Sequence, residues 1–328
     1  MTINKLLRVD EWYDSKIPLL ILPFIYRAIF FKTNDVIFKM IALLMFYCLF
    51  LGFGYLINDF ADIKVDKKAG KIKVIHNMSK FTVIILLCII VGLGSSLLII
   101  FNHSLKSLTT IVIIYFFGAS YSMPPLRFKE RGIWGLIVSS GAQRCLPLLA
   151  MVNVLGIPID KYYIAWMLLS FFVGMRYILV HQNIDMDNDI KAGVNTFAAA
   201  NKRKVILLIN VFFLFEIAMC VYLISAVIIK YNMVVIFCVA YVFLFAVRWK
   251  GSKAVFGHGG LYSFDQMPLE DYYNNFLPII CMIILVLQDI SWVPILLIWI
   301  IVMFHSIVVH LRFPIRYLGD QILRKRSK

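Results

Sequence analysis

Six of the eighteen acidic residues in this 328-residue chain fall in two short stretches. The first, "NDFADIKVD" at 58–66, holds Asn58, Asp59, Asp62 and Asp66. The second, "HQNIDMDNDIKAGVNT" at 181–196, holds Asn183, Asp185, Asp187, Asn188 and Asp189. Asn58, Asp62 and Asp66 are spaced by four, as are Asp185 and Asp189, and residues four apart stack on one face of a helix. Crowded carboxylates repel unless a counter-charge sits among them. Hard divalent cations supply one: they take oxygen ligands, and Mg2+ commonly joins one or two carboxylates to the phosphates of a substrate. The spacing points to two facing sets of carboxylates that hold Mg2+ and grip a diphosphate, with nearby lysines neutralising phosphate oxygens. Solvated loop acids balanced by lysines would explain either stretch alone. Two stretches of like spacing in an acid-poor chain favour the metal-diphosphate site.

The elements that position these stretches are apolar. The chain is 62% hydrophobic and 16% charged, with a mean hydropathy of +0.86, whereas soluble domains are about half apolar and a quarter charged. Apolar runs lie at 17–31, 36–57, 81–101, 108–122, 134–155, 162–180, 205–229, 232–247, 274–288 and 291–311, many near the length that spans a bilayer as a helix. The expected fold is an all-α polytopic membrane protein. Residues 1–16 are charged and carry no signal-peptide pattern, so the first run reads as an uncleaved anchor. All six cysteines lie inside apolar runs and none forms a CxxC pair, which implies neither a disulfide framework nor a thiolate metal site.

Basic residues set the expected orientation. Lys64, Lys67, Lys68, Lys71, Lys73 and Lys80 follow the second run, Arg127, Lys129 and Arg131 the fourth, and Lys191, Lys202, Arg203 and Lys204 the sixth. Loops after odd runs hold little beyond Lys32, Lys106, Lys161 and Lys230. The positive-inside rule puts both termini and the even loops, with both acidic stretches, in the cytoplasm. Much of the net charge of +15 is then topology and attraction to anionic lipid, not a nucleic-acid footprint.

Charges inside the runs are costly and point to function. Arg144, Arg176 and Glu216 are of this kind. Arg176 lies nine residues before Asp185, about 13 Å deeper on one helix, and Glu216 could pair with Arg144 or Arg176. His181, four before Asp185, is placed to hydrogen-bond it.

The paired pattern, NDxxDxxxD after the second run and DxxxD after the sixth, resembles the UbiA superfamily of intramembrane prenyltransferases. "YSMPPLRFKERG" at 121–132 and "DNDIKAGVNT" at 187–196 support it, and the resemblance covers roughly 10–250. It implies nine or ten transmembrane helices around a central cavity, a single domain over 1–328, and cytoplasmic cap loops near 58–80 and 181–204. It also implies Mg2+-dependent transfer of a prenyl group from an isoprenyl diphosphate to a hydrophobic or aromatic acceptor, at the cell inner or plasma membrane. Asp62 and Asp66, with Asn58, would hold one Mg2+, and Asp185 and Asp189 the other. Asn58, Lys71, Lys73, Arg127 and Lys129 would bind diphosphate; Tyr121 and Arg176 would be catalytic. Asp59 and Asp187 sit off these spacings. The alternative within the superfamily is a terpene cyclase that ionises the same diphosphate without an acceptor. A transporter would carry its charges near the midplane of several spans, and the pattern of CDP-alcohol phosphotransferases is not found.

Overall fold

A computed structural model describes residues 3–31, 36–68, 70, 72–156, 158–192, 196–252, 269–308 and 311. Among these residues the chain is helical, with no strand. The helices are α1 (Ile3–Leu7), α2 (Ile17–Phe30), α3 (Val36–Lys68), α4 (Lys80–Ile99), α5 (Leu105–Ser120), α6 (Ile133–Ser140), α7 (Leu149–Leu155), α8 (Lys161–Ala192), α9 (Phe197–Ala200), α10 (Lys202–Lys230), α11 (Val234–Ser252), α12 (Leu277–Gln288) and α13 (Val293–Val302). Among the described residues, helix lies in each of the ten apolar runs. Among the described residues, five apolar stretches are long enough to cross a membrane: Ile37–Lys64, Lys80–Ile99, Ile133–Leu155, Lys161–Asp187 and Lys202–Lys230.

Two helices outrun their apolar segments. The second run ends near residue 57, yet α3 continues to Lys68; the sixth ends near 180, yet α8 continues to Ala192. At about 1.5 Å per residue each is about 50 Å long, against a hydrocarbon core of about 30 Å. Both acidic stretches therefore begin on rigid helix. In the first, residues 58–68, expected as part of a cap loop, are the last turns of α3.

The chain divides into two compact units. One comprises 1–21 and 35–220 and contains α1 and α3 to α9; the other comprises 22–34 and 221–328 and contains α11 to α13. Residues of α2 and α10 fall in both.

The core of the first unit is aromatic. Phe46, Phe50 and Phe53 stack along α3, and Tyr115 of α5 meets all three edge-on, with ring centres 6.5, 5.7 and 5.1 Å away. Such edge-to-face pairs add to the value of area burial. On the outside, Phe81, Ile84, Ile85, Ile89 and Leu93 of α4 are exposed, as a lipid-facing helix requires.

Helix α8 lies tight against α6. A Cβ on Gly174 would sit 2.9 Å from the Cβ and 3.0 Å from the Cα of Ser140, and the Ser140 hydroxyl donates to the Phe171 carbonyl. The fifth apolar run is not one regular helix. After α6 the chain makes a π turn at Gly141–Cys145 and a 3-10 turn at Leu146–Leu148, where Pro147 cannot donate to a helical ladder. In the second unit, the Tyr26 hydroxyl donates to the Leu223 carbonyl at 3.1 Å, and Lys230 donates to the Ile29 carbonyl at 3.0 Å.

Candidate active site

The extension of α3 carries four acid or amide groups on one side. At about 100° per residue, Asn58, Asp62, Asp66 and Asp59 fall at about 0°, 40°, 80° and 100° around the helix. One edge of this arc is Asn58 and Asp62. The other is Asp66 and Asp59, which are seven residues apart and so nearly aligned. The structure partners the two edges with different cations.

At the first edge, Lys129 reaches both Asp62 carboxylate oxygens and donates to Asn58 Oδ1 at 3.4 Å. Arg127 donates to Asp62 Oδ1 at 3.1 Å and to Glu130 Oε1 at 2.6 Å. The Ser122 hydroxyl donates to Asn58 Oδ1 at 2.7 Å. At the second edge, Lys73 is 2.6 Å from Asp59 and 2.8 Å from Asp66, and Arg8 donates to Asp59 at 3.0 Å while its other nitrogens clasp Glu11. Asp59, off the four-residue spacing, is thus part of the network, because a seven-residue step brings it back beside Asp66.

The loop that presents Lys129 and Arg127 is held from both sides. The Lys129 amide donates to the Tyr121 carbonyl at 3.1 Å, which ties the loop to the end of α5. Gly135 of α6 comes so close that a Cβ there would lie 2.8 Å from the Phe128 carbonyl oxygen and 3.2 Å from the Lys129 Cα. Arg127 has φ 37° and Arg8 φ 51°. Both occupy the left-handed region that side chains other than glycine enter at a cost, and both turn a guanidinium onto an α3 carboxylate. Burial holds the Lys129 ammonium below its ordinary pKa, with Asp62 opposing. At Lys73 burial also depresses the ammonium, but the bonds to Asp59 and Asp66 outweigh it and the pKa rises.

Among the described residues of the second acidic stretch, His181 Nδ1 lies 3.3 Å from Asp185 Oδ2. Asp187 is exposed. Asp189 lies on α8 with its side chain outside the described residues, and Lys71 lies outside them altogether. Gln182, one residue before this stretch's first asparagine, is buried and accepts from the Ala198 amide at 3.3 Å, which docks α9 beside the end of α8.

Arg176 and Glu216 form a closed pair. The guanidinium binds both carboxylate oxygens at 2.6 and 2.7 Å, and the two residues are 1% and 0% exposed. Of the two arginines that sequence reasoning offered Glu216, the structure pairs it with Arg176. Among the residues that sequence reasoning passed over, Ser122 stands inside a stretch already singled out. Arg8 had no signal, because its partner Asp59 is 51 residues away.

Among the described residues no three His, Cys, Asp or Glu side chains form a metal-holding group. The α3 carboxylates instead alternate with lysine and arginine. The donor set is oxygen only, amide and carboxylate, which suits a hard cation that needs one or two carboxylates and completes its shell with substrate phosphate.

A model of the UbiA prenyltransferase family matches residues 21–254, well over half of the chain. The chain belongs to the UbiA prenyltransferase family. It is an integral membrane protein and an enzyme of the prenyltransferase class. Solved structures of a UbiA homologue from Archaeoglobus fulgidus superimpose on it. The one bound to DMAPP and Mg2+ gives a TM-score of 0.60 at 17% identity, covering 87% of this chain and 99% of that one. The one bound to GPP and Mg2+ gives 0.59 at 17%, covering 86% and 98%. A digeranylgeranylglyceryl phosphate synthase gives 0.52 at 17%, covering 96% and 98%. At such identity these likenesses establish the UbiA fold alone. No curated protein matches the chain by sequence.

Proposed function

We propose that this UbiA family member transfers a prenyl group from an isoprenyl diphosphate to a hydrophobic or aromatic acceptor, with release of diphosphate and a proton. The observation that carries the reading is the meeting of Asn58 and Asp62 with Lys129 and Arg127 at the end of α3. Ionising an allylic diphosphate demands charge neutralisation on the leaving group. Two cations poised on one carboxylate, beside further oxygen donors, are suited to exchange that carboxylate for phosphate oxygens. Lys73, seated between Asp59 and Asp66, plays the same part at the other edge of the arc.

Asn58, Asp62 and Asp66, with Asp185 and Asp189, are the residues that would hold Mg2+, which when bound supplies Lewis-acid charge neutralisation. The binding of DMAPP, GPP and Mg2+ by the archaeal homologue supports Mg2+ and a prenyl diphosphate as the ligands. Tyr121, whose carbonyl anchors the Lys129 loop, would offer the reacting carbon an aromatic face that attracts the developing allylic cation. Arg176, clasped by Glu216, positions α8 against α10 and acts on the site through that packing. The chain functions as one catalytic domain. Its lysine-rich loops place the acidic stretches and both termini on the cytoplasmic side of the cell membrane, so that the prenyl tail lies in lipid while the diphosphate stays at the wet face.

The test is product analysis by mass from membranes given prenyl diphosphates of several chain lengths, with and without candidate acceptors. Wild type forms a prenylated acceptor, activity disappears in EDTA and returns with Mg2+, and Asp62→Ala or Asp185→Ala is folded but inactive. Near-wild-type turnover in either variant, or persistence in chelator, overturns the scheme. A cyclic hydrocarbon or alcohol formed without acceptor makes the enzyme a cyclase.

A further inference from the structure

Between α3 and α4 lies a 3-10 turn, Val74–Asn77, with Lys73 at its start. His76 of this turn is bonded to Lys73 twice. The Lys73 amide donates to His76 Nδ1 at 3.4 Å, and the His76 amide donates to the Lys73 carbonyl at 3.1 Å. The rest of the turn is fixed as well. Ile75 is 2% exposed, the Met78 amide donates to the Ile75 carbonyl at 3.1 Å, and the Ser79 hydroxyl caps α4 by accepting from the Thr82 amide at 3.1 Å. Because Nδ1 accepts, the neutral ring carries its proton on Nε2. The His76 side chain is 7% exposed, and Nε2 lies 4.0 Å from Asp66 Oδ2. Among the described residues Nε2 has no hydrogen-bond partner. A buried N–H without a partner is costly, and this one stops just short of a carboxylate.

Lys73 occupies that carboxylate in the structure. Its ammonium is 2.8 Å from Asp66 Oδ2 and 2.6 Å from Asp59 Oδ1. In the reading above it exchanges these oxygens for those of phosphate, and each carboxylate then loses a cation. The two are not equally provided for. Asp59 keeps Arg8 at 3.0 Å. Asp66, with its side chain 10% exposed, pairs among the described residues with Lys73 and His76 alone. A buried carboxylate stripped of its counter-ion is strongly disfavoured. The donor that faces it is His76 Nε2, and a closure of about 1 Å brings the pair to an ordinary N–H···O length.

We propose that His76 is a positioning residue for Lys73, one that takes over Asp66 when the ammonium moves onto the diphosphate. Nδ1 keeps the Lys73 backbone in place during the exchange. Nε2–H makes with Asp66 Oδ2 the bond that Lys73 gives up, so the carboxylate is never left bare and the move of Lys73 from protein to substrate costs less. The inference rests on the prenyltransferase reading and adds to its donor side a residue outside both acidic stretches. The His76–Asp66 bond exists as long as diphosphate is held. It stabilises bound substrate and transition state alike, and therefore acts on KM and not on kcat.

The experiment uses purified full-length enzyme in detergent and the variants His76→Gln, His76→Asn and His76→Leu. Glutamine sets an amide N–H near the position of Nε2, asparagine sets an acceptor near that of Nδ1, and leucine supplies neither. Affinity for a non-hydrolysable prenyl diphosphate analogue with Mg2+ is read from the rise in melting temperature, and donor KM and kcat from product formation in the mass assay above. In His76→Leu and His76→Asn the affinity falls and KM rises about tenfold or more, the range for one lost hydrogen bond to a charged group, while kcat stays near wild type. His76→Gln keeps most of the affinity. In a Lys73→Met background, where no ammonium leaves Asp66, His76→Leu causes no further loss. A histidine that merely fills space would not distinguish glutamine from asparagine, and its effect would not depend on Lys73. Unchanged affinity in His76→Leu, rescue by asparagine but not glutamine, or an undiminished loss in the Lys73→Met background overturns the inference. His76→Asn carries the test if His76→Leu does not fold. A wild type that does not respond to the analogue overturns the prenyltransferase reading itself, whereas a responding wild type with unaffected His76 variants overturns only the role of His76.

Discussion

Removing one member of the Arg176–Glu216 pair separates a structural from a catalytic role for Arg176. Both side chains are fully enclosed, both carboxylate oxygens are engaged at 2.6 and 2.7 Å, and Phe213 stacks on the guanidinium at 5.3 Å. Deleting one partner of such a pair leaves an uncompensated charge in an apolar interior, at a cost of about 3–5 kcal/mol. That is about two to four orders of magnitude in the folding equilibrium. Arg176→Met and Glu216→Leu should each lose this much, whereas the double variant, with neither charge, should recover most of it. The control is Arg8–Glu11, where the side chains are 28% and 48% exposed and removal of Glu11 should cost no more than about 1 kcal/mol. The assay is unfolding in mixed micelles with a denaturing detergent, read by helix content and arranged as a double-mutant cycle. If either single variant stays within about 1 kcal/mol of wild type while turnover is lost, the pair is not what holds α8 to α10, and Arg176 belongs to the reaction.

Further outcomes follow from close approaches and charge. Gly135→Ala pushes a methyl to 2.8 Å from the Phe128 carbonyl and displaces the loop carrying Arg127 and Lys129; KM for the diphosphate should rise at least about tenfold, the loss of one charge-assisted bond, as steady-state kinetics will show. Gly174→Ala meets the Ser140 backbone side at 2.9 and 3.0 Å and should lower stability by about 1–3 kcal/mol. Gly92→Ala, with nothing within 4 Å, should be neutral or slightly stabilising by the same melting assay. Lys16 has a depressed pKa in the fold, so the unfolded chain binds more protons between that value and the ordinary lysine range. Stability of wild type relative to Lys16→Met should therefore rise with pH across that window, and a flat difference between the two melting curves would count against the enclosed amine.

The sequence by itself determined the helical membrane class, the apolar segments that become helices and the two acidic stretches, because hydrophobic and charge periodicity are local properties that a bilayer reads directly. It also marked Arg144, Arg176 and Glu216 as charges too deep to be incidental. Tertiary structure alone decided the partners. Lys129 meets Asp62 across 67 residues, Arg8 meets Asp59 across 51, Arg176 meets Glu216 across 40, and Lys16 meets Gln143 across 127. The four-residue spacing grouped Asp66 with Asp62, whereas the cations group it with Asp59. Helix twist alone puts Asp66 between them, and which neighbour shares its counter-ion depends on where the Lys73 segment packs. The same holds for the π turn that aims Arg144: nothing in "GAQRC" announces it, since it arises where α6 must close against α8 before Pro147 breaks the ladder. Spacing fixes which face of a helix a charge occupies, and only packing fixes what stands opposite.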